Sequence, residues 1–324
     1  MTAAPGGTGG AVVDARLVEV AEQVYVYEQL PGGWCVSNSG VLTGAEGALV
    51  VDTLATVGRA ERLREAVDRL RPGPARTLVN THHHGDHTFG NQVFGPGATV
   101  VAHERTRAGM VSTGLALTGL WPQVEWGEVR LSLPTLTFRD RLTVHLGERR
   151  VELFSVAPAH TDGDVVVWLP DERVLFAGDV VFSGAAPFCL FGTVAGTLRA
   201  IERLRALRPR TVVSGHGPVT GPEVLDDNAR YVRWIQELAE AGAARGLTPL
   251  ETARSANREE FGHLLDAERI VGNLHVAYAE LARPAGSDAP GRAAAAGPQP
   301  PLDPLAVFHE MVAFNGGHLP TCLA

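Results

Sequence analysis

Four metal-competent side chains fall within six residues at His82-x-His84-x-Asp86-His87, directly after the apolar run Thr77–Val79. Imidazole and carboxylate are the ligand types that suit zinc and similar borderline ions. A loop leaving a strand can turn alternate side chains toward two adjacent points. Taken alone, such a tract could equally be a polar surface loop that captures nickel during purification. Three later residues complete a set: His160 follows the run Val151–Val156, Asp179 closes Val174–Ala177, and His216 closes Thr211–Val213. Each stands among small residues that permit close approach. Two divalent ions about 3.5–4 Å apart that share a water lower its pKa from about 15.7 toward 7, giving hydroxide at neutral pH. The same ions polarise a carbonyl and stabilise an oxyanion or enolate. Hydroxide as nucleophile hydrolyses an ester, thioester or amide; as base it closes an aldol.

The elements that must position these residues are legible as alternating and β-branched runs. Strands are expected at Leu17–Glu28, Trp34–Thr43, Ala48–Asp52, Thr77–Val79, Thr99–Ala102, Val129–Leu133, Leu142–Leu146, Val151–Val156, Val165–Leu169, Val174–Ala177 and Thr211–Val213. Helices are expected at Val57–Leu70, stopped by Pro72, at His103–Val111 and at Val194–Leu207. Ser112–Trp126 is apolar without a clear period. From Pro222 the chain reads as helical through Ala244 and again over Pro249–Leu281. The organisation expected is a flexible stretch 1–16, a core 17–220, helices 221–283 packed on it, a Pro/Ala/Gly linker 284–304, and a helix with tail over 305–324.

The chain has 324 residues, 45% of them hydrophobic, enough for one large core or a core with a satellite. All 28 basic residues are arginine, and the net charge of −8 argues against nucleic acid as the main partner. Three scattered cysteines, Cys35, Cys189 and Cys322, do not make a disulfide framework and point to a reduced compartment. The first dozen or so residues lack the pattern of a signal peptide, and no apolar run reaches the roughly 18 residues of a membrane span. A cytoplasmic protein that does not enter membranes is expected.

Order and spacing of the metal-competent residues resemble the metallo-β-lactamase superfamily over roughly Leu17 to Val219. The resemblance implies an α/β (α+β) fold, the αββα sandwich with metals at one rim of two packed sheets, here with a helical C-terminal extension. It implies that His82, His84 and His160 hold a first metal, that Asp86, His87 and His216 hold a second, and that Asp179 bridges them. It makes Asp86 and Asp179 the catalytic carboxylates beside the hydroxide, and two Zn2+ the cofactor, with Mn or Fe also accepted by such donors. No Cys replaces Asp179, as in some true β-lactamases, and no Glu replaces His84, as in flavodiiron oxidoreductases. His83 is expected to point away from the metals and Cys189 to lie in pocket or core. His103, His145, His263 and His275 are expected in structural or surface roles, while His309 and His318 have no assigned place.

Trp34, Leu117, Trp121, Phe182, Phe188 and Phe191 are the candidate pocket residues, apolar and partly aromatic. The stretches Pro31–Asn38, Thr113–Pro122 and Asn315–Ala324 resemble the cyclase/thioesterases of actinorhodin-type type II aromatic polyketide biosynthesis. That resemblance implies closure of a second ring by aldol condensation and dehydration on a carrier-bound chain, followed by thioester hydrolysis. An acyl carrier protein is then the implied partner, with Arg59–Arg71 or Arg199, Arg203, Arg205, Arg208 and Arg210 as docking candidates. Oligomeric state stays open, a homodimer included. The rival readings are a general thioesterase or lactonase similar to glyoxalase II, an iron redox protein, a nucleic-acid phosphodiesterase, and a metal-binding scaffold without catalysis.

Overall fold

The computed structural model describes residues 14–45, 47–70, 73–282 and 302–324. A seven-stranded sheet comprises β1 (Asp14–Ala21), β2 (Val24–Leu30), β3 (Ser39–Gly44), β4 (Gly47–Val51), β5 (Ala75–Val79), β6 (Thr99–His103) and β7 (Leu136–Phe138), neighbours in chain order. β1 to β4 form an antiparallel meander, and β4 to β7 run parallel. The second sheet holds β8 (Arg141–Leu146), β9 (Arg149–Ser155), β10 (Val165–Leu169), β11 (Val174–Phe182) and β12 (Thr211–His216), ordered β12-β11-β10-β9-β8. Only β11 and β12 are parallel there.

Parallel neighbours need crossovers. Three helices serve β4 to β6 and the approach to β7: α1 (Val57–Arg69), the single turn α2 (Gly85–Thr88) and α3 (Glu104–Thr113), the last followed by the short α4 (Ala116–Leu120). α5 (Val194–Ala206) links β11 to β12. The Thr56 and Thr193 hydroxyls cap α1 and α5 by accepting from Arg59 N and Gly196 N. Then follow α6 (Glu223–Ala244), α7 (Pro249–Ser255) with a Thr248/Glu251 capping box, α8 (Arg269–Leu281) and α9 (Pro304–Phe314).

Layering follows from which strand faces are apolar. Val24, Leu42, Leu49, Val51 and Val79 meet Leu153, Val167, Val174 and Phe176 between the sheets. The outer face of the first sheet, Val41, Val50 and Leu78, packs on Leu63, Ala66 and Val67 of α1. The outer face of the second, Val166, Trp168 and Leu175, packs on Ile201 and Leu204 of α5 and on Leu225 of α6. β4 and β11 are buried on both faces, which is why they read as unbroken apolar runs. The result is an αββα sandwich. A fourth apolar cluster joins Tyr231 and Ile235 of α6, Ile270 and Leu274 of α8 and Phe308 of α9 to Trp121, Phe182 and Phe188.

Several elements depart from the pattern expected of the sequence. The run Leu17–Glu28 is two strands, turned at Glu22-Gln23 with Gln23 at φ 58°, and β1 already starts at Asp14, inside the stretch expected to be flexible. Trp34–Asn38 is loop, and only from Ser39 does the chain pair with β2. Val129–Leu133 alternates like a strand but pairs with none; pairing resumes beyond Pro134, where Thr135 N donates to Val100 O. β11 runs on to Phe182 past a register shift at Gly178. The helical stretch Pro249–Leu281 breaks over residues 256–268 into α7 and α8. Most of the expected linker, residues 284–301, lies outside the described residues. Among the described residues no helix is long and apolar enough to cross a membrane.

Leu153 is fully buried between the sheets. Leu153→Ala should cost about 2–5 kcal/mol of unfolding free energy through lost burial and a residual cavity. Denaturant titration checks this; a loss under ~1 kcal/mol would show that the inter-sheet layer can close around the gap.

Candidate metal centre

The seven metal-competent side chains converge at one rim of the sandwich. The turn after β5 brings His82 and His84 to one side and, through α2, Asp86 and His87 to the other. His160 comes from the loop after β9, Asp179 from within β11, and His216 from the end of β12. Two groups result: His82, His84, His160 and Asp179, and then Asp86, His87 and His216, with the donor atoms of each within 4.8 Å of one another. Asp179 touches both. Its Oδ2 lies 3.5 Å from His160 Nε2, and its Oδ1 lies 3.2 Å from His87 Nε2. The backbone is shaped to permit this: a Cβ at Gly215 would fall 1.8 Å from Asp179 Oδ1, so no larger residue fits there.

The far side of three of the rings shows which nitrogen faces inward. His87 Nδ1 lies 2.8 Å from Asp52 Oδ2, His160 Nδ1 is 2.5 Å from Phe188 O, and His216 Nδ1 is 3.1 Å from Gly33 O. A carboxylate or carbonyl oxygen only accepts, so each Nδ1 carries the hydrogen and each Nε2 turns a lone pair to the centre. There His87 Nε2 and His216 Nε2 lie 3.4 Å apart, and His160 Nε2 lies 2.9 Å from His84 Nδ1. Facing lone pairs repel unless a cation or proton lies between them. Asp179 Oδ1 is buried without a hydrogen-bond partner. This donor set fits two divalent cations, four donors to one and three to the other, with Asp179 within reach of both.

The electrostatics agree with that fit. Burial lowers all five imidazoles, and at His82, His84 and His160 it prevails, holding His160 at about 4. At His87 and His216 burial is outweighed by the carboxylates of Asp179 and Asp86, which push His216 up to about 9. Asp179 itself is held well below the carboxylate range: burial would raise it, but His216 and His87 dominate.

Around the centre, a cavity of about 460 Å³ opens between the rim and the C-terminal helices. Trp34, Leu117, Trp121, Phe182, Phe188 and Phe191 all line it. So does His83, expected to point away: it belongs to neither donor group, but its buried ring stands edge-on to Phe191 in the cavity wall. Cys189 is core, its Sγ 3.4 Å from Thr197 Oγ1. His103 caps α3 through Arg105 N, and His275 pairs with Glu310 at 2.9 Å. His318 offers its carbonyl to Asn315 Nδ2, and the tail beyond it is fastened to the cavity wall, where Trp121 Nε1 donates to Pro320 O at 2.8 Å.

Sequence reasoning missed Asp52 and Arg269. Asp52 directly follows β4 and accepts from Thr81 N and Thr81 Oγ1 besides holding His87, so one carboxylate ties the first sheet to the metal-bearing turn. Its partner lies 35 positions away, with no local motif to reveal it. Arg269 stands alone at the start of α8 and lines the cavity.

Two outcomes follow. Asp52→Ala should weaken metal binding by about 10–100-fold, because His87 loses the partner that orients it; competition with a chromophoric chelator measures this, and unchanged affinity would remove Asp52 from the site. Cations must also displace the protons held on His87 and His216. Binding at pH 7 should therefore release protons, and apparent affinity should keep rising with pH at least to about 9, where His216 loses its proton. Calorimetry in buffers of differing ionisation enthalpy counts the protons, and a buffer-independent heat would contradict the assignment.

Comparison with known proteins places this geometry. The sequence pattern of the metallo-beta-lactamase superfamily matches residues 32–216, more than half of the chain. A type 2 metallo-beta-lactamase of Bacteroides fragilis is 25% identical over 68% of this chain and 86% of its own length. A linear primary-alkylsulfatase of a Pseudomonas species is 26% identical over 65% of this chain and 48% of its own. A hydroxyacylglutathione hydrolase of Methylococcus capsulatus is 31% identical over 49% of this chain and 52% of its own. The chain thus spans about half the length of the last two. A solved metallo-beta-lactamase of Pontibacter korlensis shares the fold, with a TM-score of 0.56 at 22% identity over 68% of this chain and 99% of that one. With two donor groups at the rim of an αββα sandwich and the matching span enclosing all seven donors, this chain belongs to the metallo-β-lactamase superfamily.

Proposed function

We propose that the chain is a two-zinc thioesterase that accepts a bulky, ring-bearing acyl group from an acyl carrier protein and also closes a ring in it by aldol condensation. The observation that supports this reading is the cavity over the metal centre. Trp34 and Trp121 lie 5.6 Å apart, and Phe188 stands edge-on to Trp34 at 5.2 Å. Flat apolar walls of that kind suit a planar, partly aromatic guest better than a small polar metabolite. The resemblance of Pro31–Asn38, Thr113–Pro122 and Asn315–Ala324 to aromatic polyketide cyclase/thioesterases points the same way.

Two divalent cations at this site would supply Lewis acidity and water of lowered pKa. The chain's own groups do the rest. Asp86 lines the cavity and, with Asp179, is placed to hold the proton given up by water or by the carbon acid. In hydrolysis the C–S bond breaks, water's oxygen goes to the acyl carbon, and the proton goes to the departing thiol. In cyclisation a C–C bond forms between an α-carbon and a ketone of the same chain, and loss of one water follows. The aromatic walls keep bulk water from competing with ring closure.

The carrier-protein partner draws on two arginine clusters whose side chains are partly committed elsewhere. Arg59 donates to Gln29 Oε1 and to Leu323 O, and Arg205 pairs with Glu202 and Asp226. A general thioesterase or lactonase similar to glyoxalase II is the second reading, favoured by the 31% identity to a hydroxyacylglutathione hydrolase.

Mass spectrometry of the zinc-loaded protein with a monocyclic polyketide thioester mimic separates the two. Loss of one water followed by free acid supports the cyclase/thioesterase. Free acid without dehydration leaves the general thioesterase, and no turnover overturns both. Chelation, or Asp179→Asn, should abolish every product.

A further inference from the structure

We infer that Arg269 reads a second oxygen of the acyl group, apart from the carbonyl that meets the metals. The inference rests on the acyl-thioester reading above for its substrate class. Arg269 is 2% exposed, yet it lines the cavity that also contains Asp86, His160, Asp179 and His216. Among the described lining residues it is the only arginine, and the chain has no lysine.

The guanidinium is held on several sides. Its Nη1 donates to Ala186 O at 2.9 Å, and its Nη2 lies 2.8 Å from Asp266 Oδ2. Its carbon sits 4.2 Å from the centre of the Trp34 ring and 4.8 Å from that of Phe182. Trp34 is locked in turn, its Nε1 donating to Glu268 Oε1 at 2.6 Å. Its Nε is buried with no hydrogen-bond partner, and so is Asp266 Oδ2 beside Nη2.

A purely structural role does not explain that leftover donor. An apolar side chain could fill a gap among aromatic rings without desolvating a charge, and buried ion pairs seldom stabilise more than such a replacement. An unsatisfied donor on a buried cation adds a further cost. Both costs are removed if a ligand oxygen completes the set. Arginine suits this task, because stacking fixes the plane of its N–H donors.

The chemistry selects the guest. It is an acyl chain with its scissile carbonyl at the metals and a keto, enolate or phenolate oxygen further along, among the rings. A fully reduced chain of equal length leaves Nε unpaired and is discriminated against. Sites built to pair a substrate oxygen reject analogues that lack it far more strongly than apolar pockets reject a change of size.

The test uses product acids, so it needs no turnover. Titration calorimetry on the metal-loaded full chain compares 4-phenylbutanoate with its 3-oxo and 4-oxo derivatives. The unmodified protein should bind at least one oxo acid about tenfold or more tightly than the parent, as for a hydrogen bond to a charged donor. Arg269→Gln should erase that ratio, and Arg269→Lys, which lacks the planar fork, should erase most of it. Thermal melting and metal content show whether each variant folds. If Arg269→Gln does not, the unmodified protein and Arg269→Lys still decide. Equal binding of oxo and parent acids by the unmodified protein overturns the inference, and so does an unchanged ratio in the variants, which would trace selectivity to chelation of the metals. A selective protein that cleaves no thioester would remove the thioesterase reading and leave the Arg269 contact standing.

Discussion

Everything at the rim depends on one electrostatic constraint: five imidazoles and two carboxylates must aim their lone pairs at a common centre without water to screen them. Such an arrangement does not hold itself together. It persists because three of the outer ring nitrogens are tied to something rigid: His87 to Asp52, His160 to the Phe188 carbonyl, His216 to the Gly33 carbonyl. The tethers come from different parts of the molecule. Asp52 directly follows a strand of the first sheet, Phe188 lies after β11 of the second, and Gly33 lies in the loop ahead of β3. Packing the two sheets face to face is therefore what brings the tethers into register. The apolar layer of Leu49, Val51, Leu153 and Val167 supports the site from beneath.

That division explains what was legible in the chain. The seven donors could be read because the chemistry restricts residue type severely and strand ends announce themselves as apolar runs followed by small residues. The aromatic lining was legible in residue type, although Trp121, Phe182 and Phe188 serve an apolar cluster as well as the cavity wall. The tethers were opaque. Asp52 looks like an ordinary strand-end acid, and two of its peers are backbone carbonyls, which carry no residue signature at all. Arg269 was hidden among 28 basic residues, with nothing local to mark it.

The misread elements fail for related reasons. Periodicity reports which faces are apolar but not whether a neighbour exists to pair with. Val129–Leu133 has the alternation and lacks the neighbour, and Leu131 stays 37% exposed. The β1–β2 turn has no glycine, proline or asparagine to signal it; Gln23 takes the left-handed conformation instead. His83 sits in the one motif where every residue was weighed, yet its place in the cavity wall depends on Phe191, more than a hundred positions later.

The matched span ends at His216, where the last donor stands. Beyond it come Arg269, Leu305 and Phe308, which close the cavity from the other side. Recognition is thus written in two stretches of the chain, one interleaved with the donors and one beyond them. A change in the trailing helices would alter one wall of the cavity while leaving the donors as they are. The metal motif thus says what can be done to a bond, while the rings set between the donors and the trailing third together shape the space for the molecule that carries it.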